Sequence, residues 1–199
     1  MGCDIHTHVE YQNREGEWIC GDLFKLNIYF SGNCPYESDP YSCVEICGSR
    51  NYSLFSVLAN VRNYDDIPYI SDPKGIPDDV CAIVEKDYKS WGEDAHSASF
   101  FTLKELLDWN KIIEPVKYAG FVSPDDAKKL DDGQGTPNEW CQWTSNPTWV
   151  KRKWESDYRP LDELIEELIR RGKDLGLWRN KNDAIENADK IRIIFWFDN

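Results

Sequence analysis

The start of the chain alternates between apolar and ionisable side chains, and this period of two predicts a β-strand with two different faces. The even positions are all ionisable: Asp4, His6, His8 and Glu10. The odd positions Cys3, Ile5, Val9 and Tyr11 are apolar, and Thr7 is the one polar exception among them. Residues 12–16 end in a glycine and predict a turn into a returning strand, so we expect an N-terminal β-hairpin.

Later segments place apolar residues at the spacing of an amphipathic helix. One such helix is predicted within residues 51–64, on an apolar stripe formed by Leu54, Val57, Leu58 and Val61. The clearest helix spans residues 160–177, and shorter helices are predicted at residues 78–88, 102–113, 123–131 and 182–190. The last segment, residues 191–197, is apolar almost throughout, which is typical of a central strand buried on both faces.

These elements predict an α+β fold, with residues 1–199 forming a single domain. The sheet should be mainly antiparallel and contain both the N-terminal hairpin and the C-terminal strand, with the helices packed on one side. Because the terminal strand is apolar on both faces and the first strand has an apolar face, we predict that these two strands pair.

Composition narrows the classes of partner. The chain carries 36 acidic and 23 basic residues, a net charge of −13, whereas proteins that bind a nucleic acid polymer present clustered cations. The acidic charge is compatible with a small anionic ligand, with a cationic partner, or with a surface that mimics nucleic acid. A homo-oligomer is also compatible with it. No apolar run reaches the ~18 residues of a membrane span, and no secretory leader precedes the 7 cysteines, so we expect a cytoplasmic protein with reduced thiols and no membrane partner.

The ionisable face of the first strand is one candidate site. His6 and His8 lie about 6–7 Å apart at Cα in a strand, and two imidazoles at that separation can converge on one metal ion. Together with Asp4 and the third histidine, His96, they form a predicted ligand set for a divalent ion, Zn²⁺ or Mn²⁺. The same imidazoles can act instead as general acid and base, which makes His6, His8 and His96 the candidate catalytic residues. A polar strand face turned to solvent is the alternative.

Three cysteines follow in a long segment without periodicity: Cys34, Cys43 and Cys47. Their spacing differs from the C-x2-C pair that is typical of structural zinc sites. We therefore favour buried thiols without a metal, and their role stays open.

Cations and aromatic side chains indicate a second candidate site, for substrate binding. Arg50 and Asn51 precede the predicted 51–64 helix, and the N–H groups of a helix start bind phosphate or carboxylate. Arg62 stands near the other end of that helix. Trp143 belongs to a segment, residues 140–154, that interleaves tryptophans with cations, and such a segment can stack on and neutralise a nucleotide. Packing of these tryptophans in the core is the alternative.

Several blocks of the chain resemble a family of small bacteriophage and prophage proteins. They are the Met-Gly-Cys-Asp-Ile-His start, Arg50-Asn-Tyr-Ser-Leu-Phe, Gly75-Ile-Pro-Asp-Asp, Asp94-Ala-His-Ser and the closing Phe195-Trp-Phe-Asp-Asn. The resemblance implies a phage-related setting in a host cytoplasm and supplies no catalytic assignment. Small acidic phage proteins often counter host defences, including those that signal with nucleotides.

Three functions are compatible with these features. The first is a metal-dependent hydrolase of a phosphodiester or nucleotide, in which the metal supplies the positive charge that an acidic protein needs to hold an anionic substrate. In the phage setting its substrate would be a host nucleotide immune signal. The second is a non-catalytic protein that sequesters such a signal, and the third is an acidic protein that binds a host defence protein. The first is the leading hypothesis from sequence.

Overall fold

Nine strands and six α-helices are present in a computed structural model that describes residues 2–27, 30, 40–47, 49–156 and 158–198. The strands are β1 (Asp4–Gln12), β2 (Trp18–Cys20), β3 (Phe24–Leu26), β4 (Tyr41–Cys43), β5 (His96–Thr102), β6 (Val116–Val122), β7 (Trp140–Cys141), β8 (Val150–Ser156) and β9 (Ile191–Asp198). The helices are α1 (Tyr52–Ala59), α2 (Ala82–Trp91), α3 (Leu103–Ile112), α4 (Pro124–Asp131), α5 (Asp162–Asp174) and α6 (Lys181–Glu186). The predicted α+β class is confirmed.

The main sheet is antiparallel and has the strand order β2-β1-β9-β5. The terminal strand β9 pairs along β1, with Ile5 opposite Phe197 and His6 opposite Trp196. Every side chain from Ile191 to Phe197 is buried. The predicted pairing of the first and last strands is confirmed, and it brings the two ends of the chain side by side.

Helices cover both faces of this sheet, which corrects the prediction that they pack on one side. The larger core lies on the face of Ile5 and Phe197 and includes residues of α1, α3 and α5. The opposite face carries a smaller cluster in which Val84 of α2 packs with Ile194 and Trp196. Because β9 is apolar on both faces, each face needs its own cover, and α2 provides the second one.

Two smaller sheets complete the architecture: the pair β3-β4 and the three-stranded sheet β7-β6-β8. Tyr118, Trp140 and Trp154 pack against one another in the three-stranded sheet, with ring centroids 5.4–5.9 Å apart. Trp154 is buried in the core, as the alternative interpretation had it, whereas Trp140 and Trp143 are 37% and 77% exposed. No helix in the described parts of the chain is long and apolar enough to cross a membrane.

Local capping signals explain where the key helices begin. The side chain of Asn51 accepts a hydrogen bond from the backbone N–H of Leu54 and caps α1. Thr102 and Glu105 form the capping box that the sequence predicts for α3. Arg50 therefore lies two residues before the first residue of α1, and Arg62 lies three residues after the last.

Candidate functional site

Each ionisable side chain on the even face of β1 has a charged partner. Asp4 receives two hydrogen bonds from Arg50, at 2.5 Å from Nε and 2.7 Å from Nη2, and the Arg50 hydrogen bond lowers the pKa of the Asp4 carboxyl. Gly2 lies so close that a Cβ there would overlap the Arg50 guanidinium. A side chain at position 2 would thus displace Arg50 from Asp4.

His6 lies between two carboxylates. Its Nδ1 is 3.3 Å from Glu45 Oε1 and its Nε2 is 3.2 Å from Asp198 Oδ2. The imidazole also packs on Trp91, with ring centroids 3.9 Å apart. Burial opposes a charge on His6, but the hydrogen bonds to Glu45 and Asp198 outweigh it and raise the pKa.

His8 has the same arrangement in a more buried position, since only 4% of the residue is exposed. Its Nδ1 is 2.7 Å from Asp22 Oδ2, and its Nε2 is 2.9 Å from Asp87 Oδ2 on α2. Burial disfavours the imidazolium, yet the hydrogen bonds from His8 to Asp22, Asp87 and Cys43 prevail and raise its pKa to about 12. Both ring nitrogens of His8 therefore have a carboxylate partner.

A group that can hold a metal ion is formed by His8, Asp22 and Cys43, whose ligand atoms all lie within 4.8 Å of one another. It differs from the predicted set. Of Asp4, His6, His8 and His96, only His8 belongs to such a group among the residues that the structure describes. The predicted Asp4 instead pairs with Arg50, and His6 with Glu45 and Asp198. Cys34 lies outside the described residues.

His96 is the first residue of β5 and lies opposite Phe197 of β9. Its ring stacks on Phe197, with centroids 5.9 Å apart, and Phe197 belongs to the larger core. His6 and His8 instead stack on Trp196, which belongs to the smaller cluster on the opposite face. A β-bulge follows His96, and the next residue, Ser97, has a φ of 51°. The sheet thus separates His96 from the other two histidines, and the predicted three-histidine site is not formed.

A buried ion pair occupies the far end of the same strand face, and sequence reasoning missed it. Glu10 is fully buried, and its Oε2 lies 2.8 Å from Nε and 2.7 Å from Nη2 of Arg192. Arg192 also contacts Asp79 and lies 4.0 Å from the centroid of the Trp18 ring. The other carboxylate oxygen of Glu10 accepts a hydrogen bond from the backbone N–H of Cys81. These contacts join β1, β9 and the segment before α2.

The predicted binding residues Arg50, Asn51 and Arg62 line one cleft of about 510 Å³. Its walls come from the start of α1, from the 62–67 segment and from β7. Trp140 and Gln142 line it as well, whereas the predicted Trp143 does not. The structure therefore brings three of the four predicted substrate-binding residues together. The sequence pointed to the tryptophan-rich segment but not to the residue that reaches the cleft.

The cleft combines cations, hydrogen-bonding groups and aromatic rings. Arg62 has a φ of 52°, a conformation uncommon outside glycine and enriched at functional positions, and its Nη1 donates to the Tyr64 hydroxyl at 3.2 Å. Tyr52, Tyr64 and Trp140 supply rings, and Asp65 is the acidic residue of the lining. Burial raises the pKa of the Asp65 carboxyl. None of the histidines among the described residues lines this cleft.

The two regions suit different chemistry: the cleft can hold an anion beside aromatic rings, and the His8 group can hold a cation. Arg50 lines the cleft and pairs with Asp4 on β1, whereas His8, Asp22 and Cys43 do not line the cleft. Comparison with protein-family models, with curated proteins and with solved structures finds no match to this chain.

Proposed function

We propose that this protein binds a small nucleotide-like anion in the cleft formed by α1, the 62–67 segment and β7. The observation that carries this proposal is the convergence of Arg50, Asn51 and Arg62 on one cleft of about 510 Å³. That volume lies within the range of small-molecule sites, roughly 300–1,000 Å³. Arg50 and Arg62 are separated by a whole helix in the sequence, so their convergence is a property of the fold.

The donors of the cleft match an anionic group. The backbone N–H groups at a helix start favour an anion, and Tyr52 and Ser53 of α1 both line the cleft. Asn51 caps Leu54, so the first-turn N–H groups beside the cleft are those of Tyr52 and Ser53. The Arg50–Asp4 pair uses Nε and Nη2 and fixes the direction of the guanidinium. Arginine is suited to phosphate because its planar fork can donate two hydrogen bonds at once.

Aromatic side chains beside these donors favour a nucleotide over inorganic phosphate. Trp140 is 37% exposed and Tyr64 is 56% exposed, so both rings present accessible faces at the cleft. Base stacking on an aromatic ring contributes about 1–3 kcal/mol per base. In the phage-related setting that the resemblance implies, the ligand would be a host nucleotide signal, and binding without turnover would lower its free concentration.

A metal-dependent hydrolase is the second candidate, favoured by the His8, Asp22 and Cys43 group. In that case a bound Zn²⁺ would activate water for attack on a phosphodiester. We place this function second because His8 is 4% exposed, and because the lining of the cleft includes none of that group. A catalytic ion needs an open position that the substrate can reach.

The test is to incubate the protein with candidate cyclic and linear nucleotides, with and without EDTA, and then to identify what heat denaturation releases. We expect one intact nucleotide per chain, in an amount that EDTA does not change. Conversion of excess nucleotide by catalytic amounts of protein would establish the hydrolase instead. A failure of every nucleotide to bind or to raise Tm would refute the proposal.

A further inference from the structure

His8, Asp22 and Cys43 come from three separate elements that meet on the even face of β1. His8 lies on β1, Asp22 follows β2, and Cys43 ends β4. The side chains of His8 and Asp22 are 4% and 2% exposed. A nitrogen, a carboxylate oxygen and a thiol sulfur thus lie within 4.8 Å of one another, with Cys43 half-buried beside the two buried side chains.

This donor set is the one that zinc prefers. Zinc is held by imidazole nitrogen at about 2.0–2.1 Å, by thiolate at about 2.3 Å and by carboxylate oxygen at about 2.0–2.2 Å. A thiolate among the ligands disfavours Mg²⁺, Ca²⁺ and Mn²⁺, which select oxygen. The short contact between His8 Nδ1 and Asp22 Oδ2, 2.7 Å, is where a metal ion would take the place of a proton.

The surroundings supply the second layer that metal-bound histidines require. Asp87 Oδ2 lies 2.9 Å from the other ring nitrogen of His8, and a carboxylate at that position fixes the tautomer and strengthens the imidazole as a ligand. Cys20 Sγ lies 3.4 Å from Asp22 Oδ2, but this thiol is not a member of the group of three ligand atoms. A dication would also balance the anionic charge that Asp22, Asp87 and a Cys43 thiolate concentrate around one buried imidazole.

Most side chains of the β3-β4 pair are exposed, and Arg171 donates hydrogen bonds to the backbone oxygens of Gly21 and Val44 on either side of the pair. All three residues of β3 are exposed, and the large apolar side chains Phe24, Leu26 and Tyr41 are 49%, 60% and 57% exposed. A two-stranded pair without a buried face is marginal in water. A metal ion held by Cys43 at the end of β4 and by His8 on β1 would fasten this pair to the main sheet.

We propose that His8, Asp22 and Cys43 bind a structural Zn²⁺ that ties the β3-β4 pair to β1. This site is separate from the anion cleft, and either proposal can fail without the other. The ion would be structural because the side chains of His8 and Asp22 are only 4% and 2% exposed, Cys43 is half-buried, and the cleft lies elsewhere.

The test starts from protein purified from a zinc-supplemented medium without a histidine tag. Elemental analysis should give about one zinc per chain, and replacement by Co²⁺ should produce a near-ultraviolet thiolate-to-cobalt charge-transfer band. Cys43→Ser should lose both the metal and the band. Cys141→Ser, which alters a thiol outside the group, should keep both.

Two further variants separate ligand chemistry from folding. Asp87→Asn should keep the cobalt band but weaken zinc binding by about 10- to 100-fold. His6→Gln is matched to His8→Gln, because His6 also lies between two carboxylates on β1, and only His8→Gln should lose the metal. Wild-type protein that gives no cobalt band and no stoichiometric zinc would overturn the proposal, whatever the folding of the variants. A band that persists in folded Cys43→Ser would overturn it too.

Discussion

At the scale of single residues, the partners of the β1 side chains come from distant parts of the chain. Glu10 pairs with Arg192, 182 positions away, and Asp4 pairs with Arg50. The period of two predicted which side chains share a face of β1. It could not predict their partners, because those depend on how β9, α2 and the segment before α1 pack in three dimensions.

The Glu10–Arg192 pair yields a stability prediction. Glu10→Ala should reduce the free energy of unfolding by about 3–5 kcal/mol, because it leaves a buried guanidinium without its main partner. Urea denaturation monitored by tryptophan fluorescence measures the change. Asp79→Ala is the matched control: Asp79 pairs with the same arginine but is 63% exposed, so its removal should cost no more than about 1 kcal/mol. Equal costs for the two variants would contradict the assignment.

Asp126 gives a prediction of pH dependence. It is 3% exposed, and its carboxylate accepts hydrogen bonds from the backbone N–H groups of Asn138 and Glu139, which together with Lys129 and Ser123 lower its pKa. A lowered folded-state pKa gives stability that is present above the unfolded value, about 3.9, and is lost as the pH falls through the folded value.

Asp126→Asn should therefore be less stable than the wild type at pH 6, and the difference should narrow as the pH falls towards 3. Chemical denaturation of both proteins across this range measures it. A difference that stays constant with pH would show that the charge of Asp126 contributes nothing.

At the scale of elements, the central position of β9 follows from its composition. A strand that is apolar on both faces must be covered twice, and the structure covers it with α1, α3 and α5 on one side and α2 on the other. The one-sided arrangement predicted for the helices failed for this reason. The need for a covering layer on each side could have been read from the sequence, because both faces of β9 are apolar and neither can be left in water.

The start of α2 shows where local patterns stop being sufficient. Acidic residues after Pro77 predicted a helix from residue 78, yet α2 begins at Ala82. Asp79 is used instead for the contact with Arg192, and the backbone N–H of Cys81 donates to Glu10. Residues 78–79 form a turn, in which the backbone N–H of Val80 donates to the carbonyl oxygen of Pro77. Together with the tertiary contacts of Asp79 and Cys81, this turn delays the start of the helix.

The core role of β9 can be measured with Phe195→Ala. Phe195 is fully buried and lies between Phe101 and Phe197, so the truncation should cost about 3–5 kcal/mol through lost burial and the cavity left behind. Ile112→Ala is the control, since Ile112 is 75% exposed and its truncation should cost within about 0.5 kcal/mol. Thermal and urea unfolding give both values. A cost below that of the control would contradict the placement of β9.

At the scale of the whole molecule, the net charge of −13 opposes the approach of any anion. Two arginines at one cleft offset this field locally, and their effect should weaken as salt screens it. Binding of an anion in the cleft therefore depends on Arg50 and Arg62, because the overall charge of the protein opposes it. The sequence could indicate Arg50 and Arg62 individually, but their meeting in one cleft depends on the chain reversing direction after α1.

The most direct measurement of the central claim is isothermal titration of the best-stabilising nucleotide into wild type, Arg62→Gln and Arg170→Gln. Arg170 is an exposed arginine on α5 that pairs with Glu167 and Asp174, so its variant has the same change in charge away from the cleft. Loss of one charged hydrogen bond, worth about 1.5–3 kcal/mol, should raise the Kd of Arg62→Gln by roughly 10- to 100-fold and leave that of Arg170→Gln near the wild-type value. Equal affinities for the wild type and Arg62→Gln would contradict the assignment of the cleft as the binding site.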